Sequence, residues 1–177
     1  MDLQLMKPRE LLVLRHAKSS WDSGARTDYD RPLSKRGLKN APRVGRFLGE
    51  EGLRPDYVVS SPAMRAKQTV TLACEQMGID ESQIHWDDRI YHASTGALMD
   101  VLAEAPANAR RVLIAGHNPG LEMLVQTLSA DRVPMPDDYK LMPTAAVAHL
   151  ELSTPWADID GGTARLIGLT RARSLKD

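Results

Sequence analysis

The stretch Leu11-Leu12-Val13-Leu14-Arg15-His16-Ala17-Lys18-Ser19-Ser20 decides how the chain is read. Four consecutive apolar residues bounded by polar ones describe a strand buried on both faces. The run stops at a cationic Arg15-His16 pair. Neither side chain favours a dry interior unless its charge and hydrogen bonds are met there. In a parallel sheet, the carboxyl end of such a strand is where open α/β folds place ligands.

Two later segments repeat the pattern. Asp56-Tyr57-Val58-Val59-Ser60 is a β-rich run followed by Ser61-Pro62, which reads as an N-cap with proline at the first helical position. That helix is expected to reach about Met77, with Arg65 one turn inside it and Gly78 at its end. Arg111-Val112-Leu113-Ile114-Ala115 is a third apolar run, closed by Gly116-His117-Asn118-Pro119. Asn118 reads as a cap for a helix over 121–128.

Between these runs lie weaker signals. Trp21 to Lys35 has no sustained period and reads as a long loop, a class that is often functional. Ser34 is the expected cap of a helix reaching about Glu51, ended by Gly52, with Pro42 delaying its start or kinking it. Ile84-His85-Trp86 reads as a short strand, and Ser94-Thr95-Gly96 opens a helix over 97–104. Ala145 to Leu152 and Ala164 to Leu169 read as two late strands joined at Gly161-Gly162. This order implies one α/β domain over 1–177, three-layer α/β/α with a mostly parallel central sheet.

The totals restrict the function classes. The 177 residues are 42% apolar and 26% charged with a formal net charge of zero, an ordinary globular balance. Zero net charge argues against broad binding to nucleic acid or an anionic membrane. The single cysteine, Cys74, allows no internal disulfide and no thiolate cluster for zinc, and its helical neighbours make it a small buried hydrophobe. Met1 to Glu10 has neither the apolar core nor the cleavage site of a signal peptide, so a cytoplasmic location is expected.

In a parallel sheet the three strand ends share one edge, bringing Arg15, His16, Arg65 and His117 to one crevice. Two helix starts there would add free N–H groups, and arginine a planar fork, all suited to phosphate. Taken singly, each residue has a plainer reading: a structural histidine, a turn histidine, a surface ion pair. Their coincidence at three strand ends favours a site.

These segments resemble a known family. Leu14-Arg15-His16-Ala17-Lys18-Ser19 is similar to the Arg-His-Gly signature of the histidine phosphatase (phosphoglycerate mutase-like) superfamily. Ser60-Ser61-Pro62-Ala63-Met64-Arg65 and Gly116-His117-Asn118-Pro119 are similar to its second-arginine and second-histidine segments. Asp30-Arg31-Pro32-Leu33-Ser34, Gly37 and the small size resemble the SixA-like phosphohistidine phosphatase branch. The resemblance runs from about Glu10 to Leu169. It implies a phosphoglycerate mutase-like fold and a phosphatase that needs no metal or other cofactor. His16 would be the nucleophile, with Arg15, Arg65 and His117 holding the phosphoryl oxygens. Ser19, Tyr91 and His92 are further candidates for substrate contact. The implied substrate is a phosphohistidine protein, such as a phosphotransfer domain or phosphocarrier. A small phosphomonoester and a non-catalytic phosphate-binding module are the alternatives.

The departures from the pattern matter. Ala17 stands where the superfamily usually has glycine, a small change if the backbone there is not left-handed. Asp22 lies near a phosphate-contacting asparagine of many members and would repel phosphate unless paired. Arg89-Ile90-Tyr91-His92 falls where broad phosphatases and mutases carry an acidic proton donor, and Ile90 has no proton to give. Asp87 and Asp88 are nearby but read as a solvated turn. Lys18, Arg26, Arg31, Lys35 and Arg36 form either a basic rim for an acidic phosphoprotein or a second anionic group, or a solvated mixed-charge loop with Asp22, Asp28 and Asp30. His85 and His149 read as structural. Met64, Met77, Met99 and Met123 read as core filler.

Overall fold

In a computed structural model describing residues 7–177, the apolar run of the first strand does alternate between two cores. β1 (Arg9–Arg15) sends Leu11 and Val13 to one face of the sheet and Leu12 and Leu14 to the other, all fully buried. The period-2 alternation of a strand therefore feeds two helical layers from one segment. The reading of Met1 to Glu10 as leaderless rests in part on residues 1–6, which lie outside the described residues.

The elements that follow are α1 (Lys35–Glu50), β2 (Tyr57–Ser60), α2 (Met64–Gln76), β3 (Ile84–Trp86) and α3 (Thr95–Ala103). After these come β4 (Arg111–Gly116), α4 (Gly120–Leu128), β5 (Val147–Leu152) and β6 (Ala164–Thr170). One six-stranded sheet has the order β3-β2-β4-β1-β5-β6. The first four strands in that order run parallel, and β5 and β6 add an antiparallel edge. Val44 and Leu48 of α1 pack with Val70 and Cys74 of α2 on one face. Leu98 and Leu102 of α3 pack with Leu121 and Leu124 of α4 on the other. This is the three-layer α/β/α fold expected.

α1 begins at Lys35 with the Ser34 hydroxyl accepting from Gly37 N, and it runs without a break through Pro42. The start is not delayed: the cap and the buried Ala41, Val44 and Leu48 hold the segment helical despite the missing proline N–H. Gly45 sets how closely α1 approaches α2, since a Cβ there would sit 2.2 Å from the Ala73 carbonyl oxygen.

Three further details differ from the sequence reading. α2 starts at Met64 rather than after Ser61: the Ser61 hydroxyl accepts from Ala63 N (3.2 Å) and bonds His117, and 61–63 forms a turn that does not join the helix. Asn118 does not cap α4: its side-chain amide donates to Glu122 and to the Met142 carbonyl, and Pro119 occupies the cap without a side-chain bond. Met64 and Met123 are exposed, unlike the buried Met77, since each faces away from its helix's packed side. Cys74 is buried as expected, and burial pushes its thiol up to about 12. His85 stacks on Tyr57 and His149 bonds Glu10, both structural roles.

No helix among the described residues is long and apolar enough to cross a membrane.

Candidate active site

Strand register places the cationic residues at one level. Arg15 pairs with Gly116 across β1 and β4, and Ser60 pairs with Ala115 across β2 and β4. The ladder then continues one residue further on both sides. His16 N donates to the Gly116 carbonyl (3.1 Å) and Ser61 N to the Ala115 carbonyl (3.0 Å). His16, Ser61 and His117 thus leave three adjacent strands at the same edge.

His16 is 7% exposed, and its Nδ1 lies 2.7 Å from the Ala17 carbonyl oxygen. A carbonyl only accepts, so Nδ1 carries the proton and Nε2 keeps its lone pair. Ala17 is itself fixed, its N–H donating to Thr69 Oγ1 (3.0 Å), and it is not among the residues with positive φ. Alanine is therefore unstrained at this position. Burial lowers the His16 pKa to about 4, opposed by the Ala17 bond and reinforced by the charges of Arg15, Arg65 and Arg31. The arginines alone would suggest charge repulsion as the main cause, but desolvation is larger.

His117 stands beside it, the two ring centroids 5.2 Å apart. Its Nε2 shares a 2.8 Å hydrogen bond with Ser61 Oγ, and its Nδ1 is buried without a protein partner. Burial again dominates in lowering its pKa, to about 3, with His16 and Arg65 adding to the effect. Both imidazoles are neutral at neutral pH. Ser61, read as a helix cap, accepts from Ala63 N and also orients the second histidine.

Arg65, 7% exposed on the first turn of α2, is held by one residue. Its Nη1 donates to the Asp28 carbonyl (2.7 Å) and its Nη2 to Asp28 Oδ2 (2.9 Å). The same carboxylate accepts from the Tyr91 hydroxyl (2.8 Å) and from Arg31 Nη1 (2.7 Å). These donors hold the Asp28 carboxyl far below the usual carboxylate range, the Tyr91 bond contributing most. Asp28, a solvated loop charge in the plainer of the two sequence readings, joins the loop to the cradle that Arg65 forms with His16 and His117. Arg31 also donates to Ser19 Oγ and lies over the ring of Trp21, its guanidinium carbon 3.4 Å from the ring centroid.

The long loop is anchored at both ends and in the middle. Ser20 N donates to the Pro32 carbonyl, Ser34 N to that of Lys18, and Met64 N to that of Tyr29. The last bond uses a helix N-terminal N–H that would otherwise be free for an anion.

The other expected residues fall at or beside the cradle. Arg15 Nη1 donates to the Met142 carbonyl (3.0 Å), and its Nε is buried without a protein partner. Tyr91 and His92 line a pocket of about 210 Å³ together with Arg65 and His117. His92 holds a left-handed backbone (φ 55°), and its ring contacts that of Tyr91 at 4.0 Å. Asp22 is exposed on the loop.

Asp87 is bound by Arg89 through both carboxylate oxygens (3.1 and 2.8 Å), which lowers its pKa, and Asp88 is exposed. Ile90 is buried where a Cβ on Gly116 would sit 2.8 Å from its methyl carbon. Among the described residues, no three His, Cys, Asp or Glu side chains come together as metal ligands.

Residues 11–102 match the model of the histidine phosphatase superfamily, branch 1. The chain belongs to that superfamily. A Mycobacterium tuberculosis protein of unassigned function is 31% identical over 159 residues, covering 88% of this chain and 97% of its own. A Thermobifida fusca 2,3-bisphosphoglycerate-dependent phosphoglycerate mutase is 41% identical over 78 residues, 43% of this chain and 30% of that one. Among solved structures, a candidate phosphohistidine phosphatase SixA from Nakamurella multipartitia superposes with TM-score 0.78 at 28% identity, covering 92% and 95% of the two chains. The protein histidine phosphatase SixA complexed with tungstate has the same fold, with TM-score 0.77 at 21% identity over 93% and 98%.

Proposed function

We propose that the chain is a phosphohistidine phosphatase that works through a covalent intermediate on His16. Nε2 of His16 attacks phosphorus, the substrate's P–N bond breaks, and its imidazole departs with the bonding electron pair. The phosphorylated ring carries a positive charge, with its Nδ1 proton retained against the Ala17 carbonyl. Water then attacks phosphorus. The P–Nε2 bond breaks, its electron pair returns to Nε2, and the water proton leaves with phosphate or solvent. Arg15, Arg65 and His117 hold the oxygens, stabilising charge that spreads over them during in-line transfer.

The observation that carries the P–N preference is the state of the carboxylate at the cradle. Asp28 is kept ionised by Tyr91, Arg31 and Arg65, so it holds no proton for a leaving group at neutral pH. Asp87 is likewise committed to Arg89, and Ile90 is apolar. An alkoxide leaves about as poorly as hydroxide, whose parent water has a pKa of about 15.7. A protonated phosphohistidine releases neutral imidazole, with a conjugate-acid pKa of about 6.5, and needs little help. The names of the SixA structures agree with this reading.

Steady-state rates on a phosphohistidine peptide, an aryl phosphate and an alkyl phosphate test it. The peptide is expected to exceed the alkyl phosphate in kcat/KM by at least ~100-fold, the worth of a missing general acid. Comparable alkyl phosphate turnover would favour the phosphomonoesterase reading instead.

A further inference from the structure

A second cavity opens on the same edge of the sheet, displaced toward β5 and β6. Its volume is about 460 Å³, within the range of ligand sites rather than of surface dimples. Its walls come from four places that the topology brings together: the end of β1 with the start of α1, Glu122 of α4, the loop before β5, and the turn after β6. Arg15 belongs to this wall while its charge also acts on His16, so the cavity adjoins the cradle.

The lining carries six cationic side chains against two carboxylates. Asp138 is already paired, while Glu122 is met by neutral donors and its charge acts on Arg15. Both oxygens of Asp138 accept from Arg171 (2.6 and 3.0 Å). Glu122 Oε1 accepts from the Asn118 amide (3.1 Å) and Met142 N (2.9 Å). Lys18, Arg36 and Lys140 have no ion-pair partner among the described residues. Several arginines elsewhere are paired, as Arg111 is with Glu10 and Arg165 with Glu151. With zero net charge, this local excess is not a by-product of composition. Like charges gathered in a concavity focus a field that attracts an anion. At the rim Tyr139 is 82% exposed, an amphipathic ring of the kind enriched where proteins dock.

We propose that this cavity is a subsite for a second anionic group on the molecule that presents its phosphoryl group to His16, with acidic side chains of a phosphoprotein as its source. The inference rests on the phosphohistidine reading for the identity of that molecule, but not for the cavity's charge. Arg15 lies between the two anions, so binding in the subsite selects substrates whose phosphorylated histidine has acidic neighbours.

The test uses two short peptides around one histidine, one flanked by aspartates and the other by asparagines, unphosphorylated and phosphorylated. By calorimetry at low salt, the unphosphorylated acidic peptide should bind the wild-type chain roughly 10-fold more tightly than its neutral counterpart, as close charge complementarity allows. The preference should fall to near one in Arg36→Gln/Lys140→Gln, whose exposed positions leave the fold intact by thermal melting. Lys140→Glu, a single reversal, should favour the neutral peptide. The phosphorylated pair should repeat the preference in KM.

Equal binding of the two peptides to wild type, or a preference that survives in the double variant, overturns the subsite. A binding preference without hydrolysis of either phosphopeptide keeps the subsite and rejects the phosphatase reading. A small bisphosphorylated alcohol that loses affinity in the double variant, when the acidic peptide does not, transfers the subsite to small molecules and overturns the protein source.

Discussion

His16 can act as a nucleophile because its surroundings treat its two nitrogens differently. The Ala17 carbonyl fixes the proton on Nδ1, and burial keeps a second proton off Nε2. A lowered pKa means the neutral ring persists as the pH falls, until about 4 is reached. Two-dimensional NMR of the imidazole resonances should therefore show His16 titrating near pH 4; titration near the ordinary 6.5 would contradict the assigned environment. Asp28 poses the opposite electrostatic problem, since its carboxylate occupies part of the Arg65 fork and repels an incoming oxyanion. Asp28→Asn removes that charge, and calorimetry should find inorganic phosphate bound about 3- to 10-fold more tightly, the scale of a partly exposed ion pair. Weaker binding would mean that Asp28 serves mainly to hold Arg65 in place.

At the scale of elements, the strands were more legible than the helix starts. Leu11–Leu14, Val58–Val59 and Val112–Ala115 are apolar runs whose burial on both faces follows from the layers they lie between. Helix starts are settled by small polar groups with more than one possible partner. Ser61 and Asn118 have the chemistry of caps, but the Ser61 hydroxyl serves both Ala63 N and His117, and the Asn118 amide bonds Glu122 and Met142. A residue placed to serve the site was indistinguishable in sequence from one placed to end a helix. Close helix contact was equally hidden, because it depends on what lies opposite a glycine. Gly45→Ala should destabilise the fold by about 2–3 kcal/mol, the usual cost of forced overpacking, and lower Tm by roughly 5–10 °C. An unchanged melting temperature would show that α1 and α2 separate freely.

For the whole molecule, the sequence could place Arg15, His16, Arg65 and His117 on one edge because strand ends in a parallel sheet share an edge. It could not place Asp28, which lies 37 residues from Arg65 in a loop without periodicity. Its role depends on where the Tyr29 carbonyl and Met64 N–H anchor that loop. Of the cavity beyond Arg15, only Lys18 and Arg36 stood out as rim candidates; the rest was hidden because it comes from α4, the approach to β5 and the turn after β6.

The claim that unites these levels is that His16 accepts a phosphoryl group. Intact-mass and peptide mapping after brief incubation with phosphoramidate should show a gain of about 80 Da on the peptide containing His16, stable to alkali and labile to acid, as a phosphoramidate bond requires. His16→Ala should carry no such adduct. A wild-type chain that hydrolyses phosphoramidate with no adduct on His16 at any quench time, or with the label on another residue, would contradict the account.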